Sequence, residues 1–294
     1  MNVLSKELEK LLQKESDEEK YQKARTRFLK HYYRLRQKED KRLFNRLSLE
    51  YRRKIHKYIL GIYALKNRLG DFSYEVLRDN RADSSSSVIF AITHVGKYDI
   101  EVVSEAIKEH YYLLSGDYEH LQGTIDAAFL ALNGVFYFNE KVKKDRKAVC
   151  DKMIDHLKQG GNLMYFPEGT WNLSPNLPVL PCYWGIIDIA RAGGATIVPV
   201  AAEQYGKHFV INIGESFNVN LYENNVEGKT IAITDLRDAM ATLKWEIWES
   251  RPLQPRSELQ AGEWEDYIHD RLAEWPYFTE EYIEGMIFRK KPAL

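Results

Sequence analysis

His94 and Asp99 lie five residues apart in Thr93-His94-Val95-Gly96-Lys97-Tyr98-Asp99. The segment follows Val88-Ile89-Phe90-Ala91-Ile92, an apolar run of the length and composition of a buried strand. A His just past a strand's carboxyl end sits where open α/β sheets place their ligands. Five residues turn through about 140° of an ideal helix, so His94 and Asp99 would not share a helix face. They meet if His94 occupies the turn and Asp99 the first turn of the next helix, and Gly96 makes a tight turn feasible. Asp99 then accepts from Nδ1–H, fixes the tautomer and leaves Nε2 as a base. An unperturbed imidazole titrates near ~6.5, so much of it is neutral at physiological pH and can take a proton from a hydroxyl. The pair is of the serine-protease kind with a substrate hydroxyl in place of the serine. No Gly-x-Ser-x-Gly is present, which disfavours a covalent serine mechanism.

A His with an Asp five residues on is common by chance, and a second segment gives it weight. Phe166-Pro167-Glu168-Gly169-Thr170 follows the strand-like run 163–166. Glu is rarely buried without a partner, so Glu168 is hard to explain as core. Pro167 and Gly169 set a turn that presents Glu168 at the sheet edge. There the carboxylate can bind an acceptor hydroxyl, and backbone amides can steady a developing oxyanion.

The elements that must hold these turns follow from hydrophobic periodicity. Strands are predicted at 88–92, 111–114, 135–138, 163–166, 197–201 and 209–213. Helices are predicted at 99–109, 118–132, 145–158, 183–192 and 235–249. Alternating strands and helices predict an α/β domain with a mostly parallel sheet flanked by helices. Upstream, residues 4–69 contain no proline and Gly61 as their only glycine, with apolar residues such as Ile55, Tyr58, Ile59, Ile62 and Leu65 at helical spacing. Three regions are expected: a basic amphipathic helical region over 1–80, the α/β domain over 81–234 with its entry loop at 81–87, and a C-terminal helical, wrapping segment over 235–294. Asn224–Gly228 reads as a turn. Its Glu227-Gly228-Lys229-Thr230 is no phosphate loop, because position 223 is Glu where the leading Gly should be. Gly193-Gly194 reads as a helix C-cap.

Charge is unevenly placed. The 294-residue chain has a formal net charge of −1, yet residues 1–70 carry 20 Lys/Arg against 9 Asp/Glu, a net of +11, leaving −12 on the remainder. A basic amphipathic arm interleaved with Tyr32, Tyr33, Phe44, Tyr51 and Tyr58 predicts attachment to an anionic membrane surface; the competing reading is a helix packed on the main domain. No nucleic-acid-binding motif accompanies it. The two cysteines, Cys150 and Cys182, form no Cys-x-x-Cys, and the remaining histidines have no ligand spacing, so no metal is expected. No apolar run reaches the ~18 residues of a spanning helix, and the first residues lack a leader's apolar stretch. The expected location is cytoplasmic, peripheral to the inner face of the membrane.

Over roughly residues 85–215 the chain resembles the lysophospholipid acyltransferase family, which includes glycerol-3-phosphate and 1-acylglycerol-3-phosphate acyltransferases. Its Asn/Ser/Thr-His-x4-Asp motif is matched by Thr93, His94 and Asp99, and its Phe-Pro-Glu-Gly-Thr motif by Phe166–Thr170. Its Val-Pro-Val strand is matched by Ile197-Val198-Pro199-Val200-Ala201. A second motif is faintly echoed by Gly134-Val135-Phe136-Tyr137-Phe138-Asn139-Glu140. The resemblance implies the glycerolipid acyltransferase fold and transfer of a fatty acyl group from a thioester donor, acyl-CoA or acyl-carrier protein, to a lipid hydroxyl, with no further cofactor. It implies His94 and Asp99 as catalytic residues and Glu168, Gly169 and Thr170 as substrate-binding; Lys97 and Trp171 are expected to bind substrate as this chain's own residues. Three family cations are replaced: Glu140 and Trp171 stand where the family has Arg, and Cys182-Tyr183-Trp184-Gly185 lacks the usual Lys. Those cations bind the acceptor's phosphate, where Arg offers bidentate contacts. Lys97, Lys141, Lys143, Lys144 and Arg146 are candidate substitutes. Alternatively, Trp171, Tyr183 and Trp184 form an aromatic wall for a glycolipid or other uncharged acceptor. A non-catalytic membrane-binding protein is the remaining alternative.

Overall fold

β2 (Val88–Ile92) is buried along its whole length and stands at the centre of a seven-stranded sheet. The computed structural model describes residues 49–82, 86–116, 125–139, 142–174, 176–252, 258, 260–274 and 279. The expected helices within 1–48, and Glu140 and Lys141, lie outside them. Residues 52–294 form one compact unit.

The elements run α1 (Leu49–Leu69), β1 (Ser73–Asp79), β2, α2 (Asp99–Ile107), β3 (Tyr112–Ser115), α3 (Ile125–Asn133), β4 (Val135–Tyr137), α4 (Lys143–Lys158) and β5 (Leu163–Tyr165). They continue with α5 (Gly185–Gly193), β6 (Thr196–Tyr205), β7 (His208–Ile213), a short 3₁₀ turn (Val219–Leu221), α6 (Val226–Glu249) and α7 (Glu263–Ala273). The sheet order is β1-β7-β6-β2-β5-β3-β4. β6, β2, β5, β3 and β4 are mutually parallel, β7 turns back antiparallel to β6, and β1 lies parallel to β7.

Period-two alternation divides the core between the two faces of this sheet. On one face Phe90 and Ile92 pack with Val102, Val103 and Ile107 of α2 and with Phe209 and Ile211 of β7. On the other, Ile89 and Ala91 pack with Met153 and Leu157 of α4, Ile186 and Ile187 of α5, and Leu236 and Met240 of α6. Both faces are covered, as a parallel sheet requires. The crossover after β2 leaves on the α2 face and the one after β5 on the α5 face. The adjacent carboxyl ends of β2 and β5 therefore border a crevice of the kind where such sheets bind ligands.

Three expectations about boundaries are corrected. The sheet begins before residue 81, because Ser73–Asp79 pairs with β7 as an edge strand. Its exposed, charge-rich pattern hid it from an apolar-run criterion. Residues 226–249 form one continuous helix that crosses 234–235, so the segment read as a turn at 224–228 is a helix start. Asn225 is its N-cap, accepting from the Gly228 N–H at 2.7 Å. Third, the apolar stripe foreseen on α1 is split. Its inner face is largely polar, with Arg52, His56 and Asn67 buried beside Ile59 and Tyr63, while Tyr58, Leu65 and Leu69 are 76%, 57% and 77% exposed. Arg52 Nη1 donates to the carbonyls of Ala131 and Leu132 at 2.8 Å each, satisfying the negative end of α3. Beneath α1, His56 donates to Asn133 Oδ1 at 2.7 Å, His110 to the Asn133 carbonyl at 2.7 Å and His156 to the Asn162 carbonyl at 3.2 Å. Gly194, in the left-handed conformation at φ 66°, caps α5 as foreseen.

Candidate active site

Parallel pairing sets the two motif turns level. Ala91 of β2 is in register with Tyr165 of β5, and His94 and Glu168 each follow three residues later. Thr93 anchors the first turn on the other side. Its N–H donates to the Val200 carbonyl at 3.0 Å, and its hydroxyl accepts from the Ala202 N–H at 2.9 Å.

The turn then brings His94 onto Asp99, the first residue of α2. His94 Nδ1 lies 2.7 Å from Asp99 Oδ2, with the Asp side chain fully buried and the His side chain 16% exposed. The same Asp99 oxygen accepts from the amides of Val95 at 2.9 Å and Gly96 at 3.2 Å. With Nδ1–H donated to Asp99, Nε2 is left as the proton acceptor. The imidazole stacks on Phe166, centroids 4.2 Å apart and planes 27° apart, and meets Trp171 edge-on at 6.1 Å. Rotation of the ring is therefore opposed from two sides.

Glu168 is fully buried, and its role differs from the one foreseen. Oε1 accepts from the His94 N–H at 3.0 Å and Oε2 from the Leu180 N–H at 2.7 Å. The carboxylate ties the two motif turns and the 172–180 loop together instead of presenting itself to an acceptor. Burial pushes its carboxyl up, while the two amides and the Lys244 charge favour the ionised form. Trp171 is likewise buried, at 3% exposure, so it packs the base instead of forming an outer wall. The half-open aromatics near the site are Tyr183 and Trp184. Gly169, at φ 70°, adopts a conformation that disfavours side chains, and a Cβ there would stand 2.7 Å from the Tyr183 ring. Its amide donates to the Phe166 carbonyl at 3.0 Å, closing the turn. Thr170 is buried, with a hydroxyl that has no hydrogen-bond partner among the described residues.

Lys97 lies in the catalytic turn with Nζ 5.4 Å from the Tyr98 ring centre. Lys143, Lys144 and Arg146 are exposed on the first turns of α4. Several contributors escaped the sequence reading. Phe166 was read as the end of a strand, yet it stacks on the base. Asn172 donates its N–H to the His94 carbonyl at 2.7 Å. Lys244, in α6, pairs with Glu203 at 2.8 Å in a nearly buried bridge that Trp248 Nε1 also joins. A buried Lys on an otherwise apolar helix face was the available signal. Among the described residues, no group of three or more His, Cys, Asp and Glu side chains is placed to hold a metal ion.

The site thus joins a His–Asp pair at the mouth of the parallel strands to a buried Glu that holds both motif turns. Residues 74–203 match the family described as Acyltransferase. The solved 1-acyl-sn-glycerophosphate (LPA) acyltransferase PlsC of Thermotoga maritima shares the fold, with a TM-score of 0.54 over 70% of this chain and 84% of that one, at 16% identity. No curated protein sequence matches the chain.

Proposed function

We propose that the protein transfers a fatty acyl group from a thioester, acyl-CoA or acyl-carrier protein, to a hydroxyl of a lysophospholipid or related glycerolipid. The observation that carries this reading is the 2.7 Å contact between His94 Nδ1 and a fully buried Asp99. Nε2 removes the acceptor's hydroxyl proton as the oxygen attacks the thioester carbonyl, giving a tetrahedral oxyanion. The carbonyl re-forms as the C–S bond breaks, and the leaving thiolate takes the proton from Nε2, which returns the imidazole to its neutral form. Asp99 stabilises the imidazolium between those steps, and positioned bases of this kind contribute about 10²–10⁴ in rate.

Tyr183, beside Gly169, and its chain neighbour Trp184, both partly exposed, favour a second acceptor class, a glycolipid or another hydroxyl without phosphate. Lys97 and the exposed cations of α4 favour the phosphate-bearing class. Thiol release by the purified protein from acyl-CoA and acyl-carrier protein separates these. The acceptors are glycerol 3-phosphate, lysophosphatidic acid, lysophosphatidylcholine and a glycolipid. Release that depends on none of them sinks the glycerolipid reading.

Among the described residues no helix is long and apolar enough to cross a membrane. The outward stripe of α1, with Tyr58, Ile62, Leu65 and Leu69 flanked by Lys54, Lys57 and Arg68, suits attachment to an anionic bilayer surface. The inner face of the cytoplasmic membrane is the proposed location.

A further inference from the structure

Three consecutive amides of the catalytic turn donate to carboxylates: His94 to Glu168, and Val95 and Gly96 to Asp99. The backbone of the next residue, Lys97, favours the ionised form of Glu274, the residue that follows α7, and Glu274 Oε2 is buried with no hydrogen-bond partner among the described residues. Gly96 is where α7 comes down on the turn. A Cβ at that position would stand 3.3 Å from Gln204 Oε1, 3.4 Å from Glu274 Oε2 and 3.5 Å from Arg271 Nη1. A Cβ there would crowd Gln204 and touch the other two groups, so the three polar groups lie against the backbone at Gly96. Arg271 Nη2 pairs with Glu274 Oε1 at 2.9 Å, with both side chains mostly buried. The pair therefore presents a fixed carboxylate to the turn from a segment that lies outside residues 74–203.

We infer that Glu274, oriented by Arg271, is a positioning residue for the His94 base: it closes the row of carboxylates that holds the turn from His94 to Lys97. Glu274 touches no reacting atom. It acts by fixing the backbone that aims the imidazole, so its loss lowers turnover and leaves substrate affinity in place. No residue of α7 belongs to the hydrophobic core, so changes there spare it. The inference rests on the reading of His94 as the base.

The test uses the full-length E274A, E274Q and R271A variants, with E265A, on the exposed face of α7, as a control. A displacement of about 1 Å in a catalytic group costs up to ~10²-fold. For E274A, kcat is expected to fall about 10- to 100-fold on that scale, with KM and the thermal midpoint close to those of the unaltered protein. E274Q keeps an acceptor oxygen and should recover most of kcat, and E265A should change nothing. Hydrogen exchange at the Lys97 amide should quicken in E274A. An unchanged kcat in E274A while H94A is inactive overturns the inference and leaves the reaction standing. Activity lost only in step with unfolding, or Lys97 exchange unaltered in E274A, overturns it as well. Full activity in H94A removes the reading beneath it.

Discussion

The side chain that most changes the chemical picture is Glu168. Each of its oxygens holds a different backbone amide, on His94 and on Leu180, and the side chain is fully buried. Truncation leaves both donors buried and unpaired, at about 1–3 kcal/mol each. E168A should therefore lower stability by a few kcal/mol on that scale and abolish turnover. Thermal unfolding beside a thiol-release assay reads both, and an active, equally stable E168A would refute the clamp. The sequence identified Glu168 as too polar for a core position without a partner, but not what its partners were. Those partners are main-chain groups, and backbone amides carry no residue-type signal. Trp171 was misread for a related reason: its position next to the motif was legible, whereas its burial depends on how the 172–180 loop folds back.

Strands and helices were legible where apolar periodicity is strong and hidden where it is weak. The central runs 88–92 and 163–166 stand close to where they were expected, because strands buried on both faces must be apolar throughout. β1 and the start of α6 were missed, one an exposed edge and the other opened by an Asn cap ahead of Glu-Gly-Lys-Thr. The inner face of α1 is the least readable, since it docks through Arg52, His56 and Asn67. That face carries a pH dependence. Burial lowers the pKa of His56, of His110 to about 3 and of His156 to about 4. The unfolded chain binds protons at these histidines near ~6.5, well before the folded one does. Their contribution to stability is thus complete above about pH 6.5 and is lost as pH falls toward 4, at up to about 1.4 kcal/mol per pH unit for each. Unfolding midpoints between pH 7.5 and 4.5 should drop, and the drop should be shallower in His110→Gln. Identical slopes would place the acid sensitivity elsewhere.

In the proposed reaction the chain must bring the His94 turn to an acceptor held in a bilayer. The +11 charge of residues 1–70 and the outward apolar stripe of α1 give that encounter a physical basis, each Lys or Arg near an anionic surface adding about 1 kcal/mol. Ile62→Asp with Leu65→Asp should weaken cosedimentation with anionic vesicles while sparing turnover of short-chain, water-soluble substrates. Equal loss of both would mean that the stripe serves the fold. The central claim concerns the mouth itself, and it is tested most directly by the rate of acceptor-dependent thiol release in H94A against the unaltered protein, with folding verified. The account predicts a fall of at least about 10²-fold with the fold intact. A folded H94A that turns over at the full rate would contradict it.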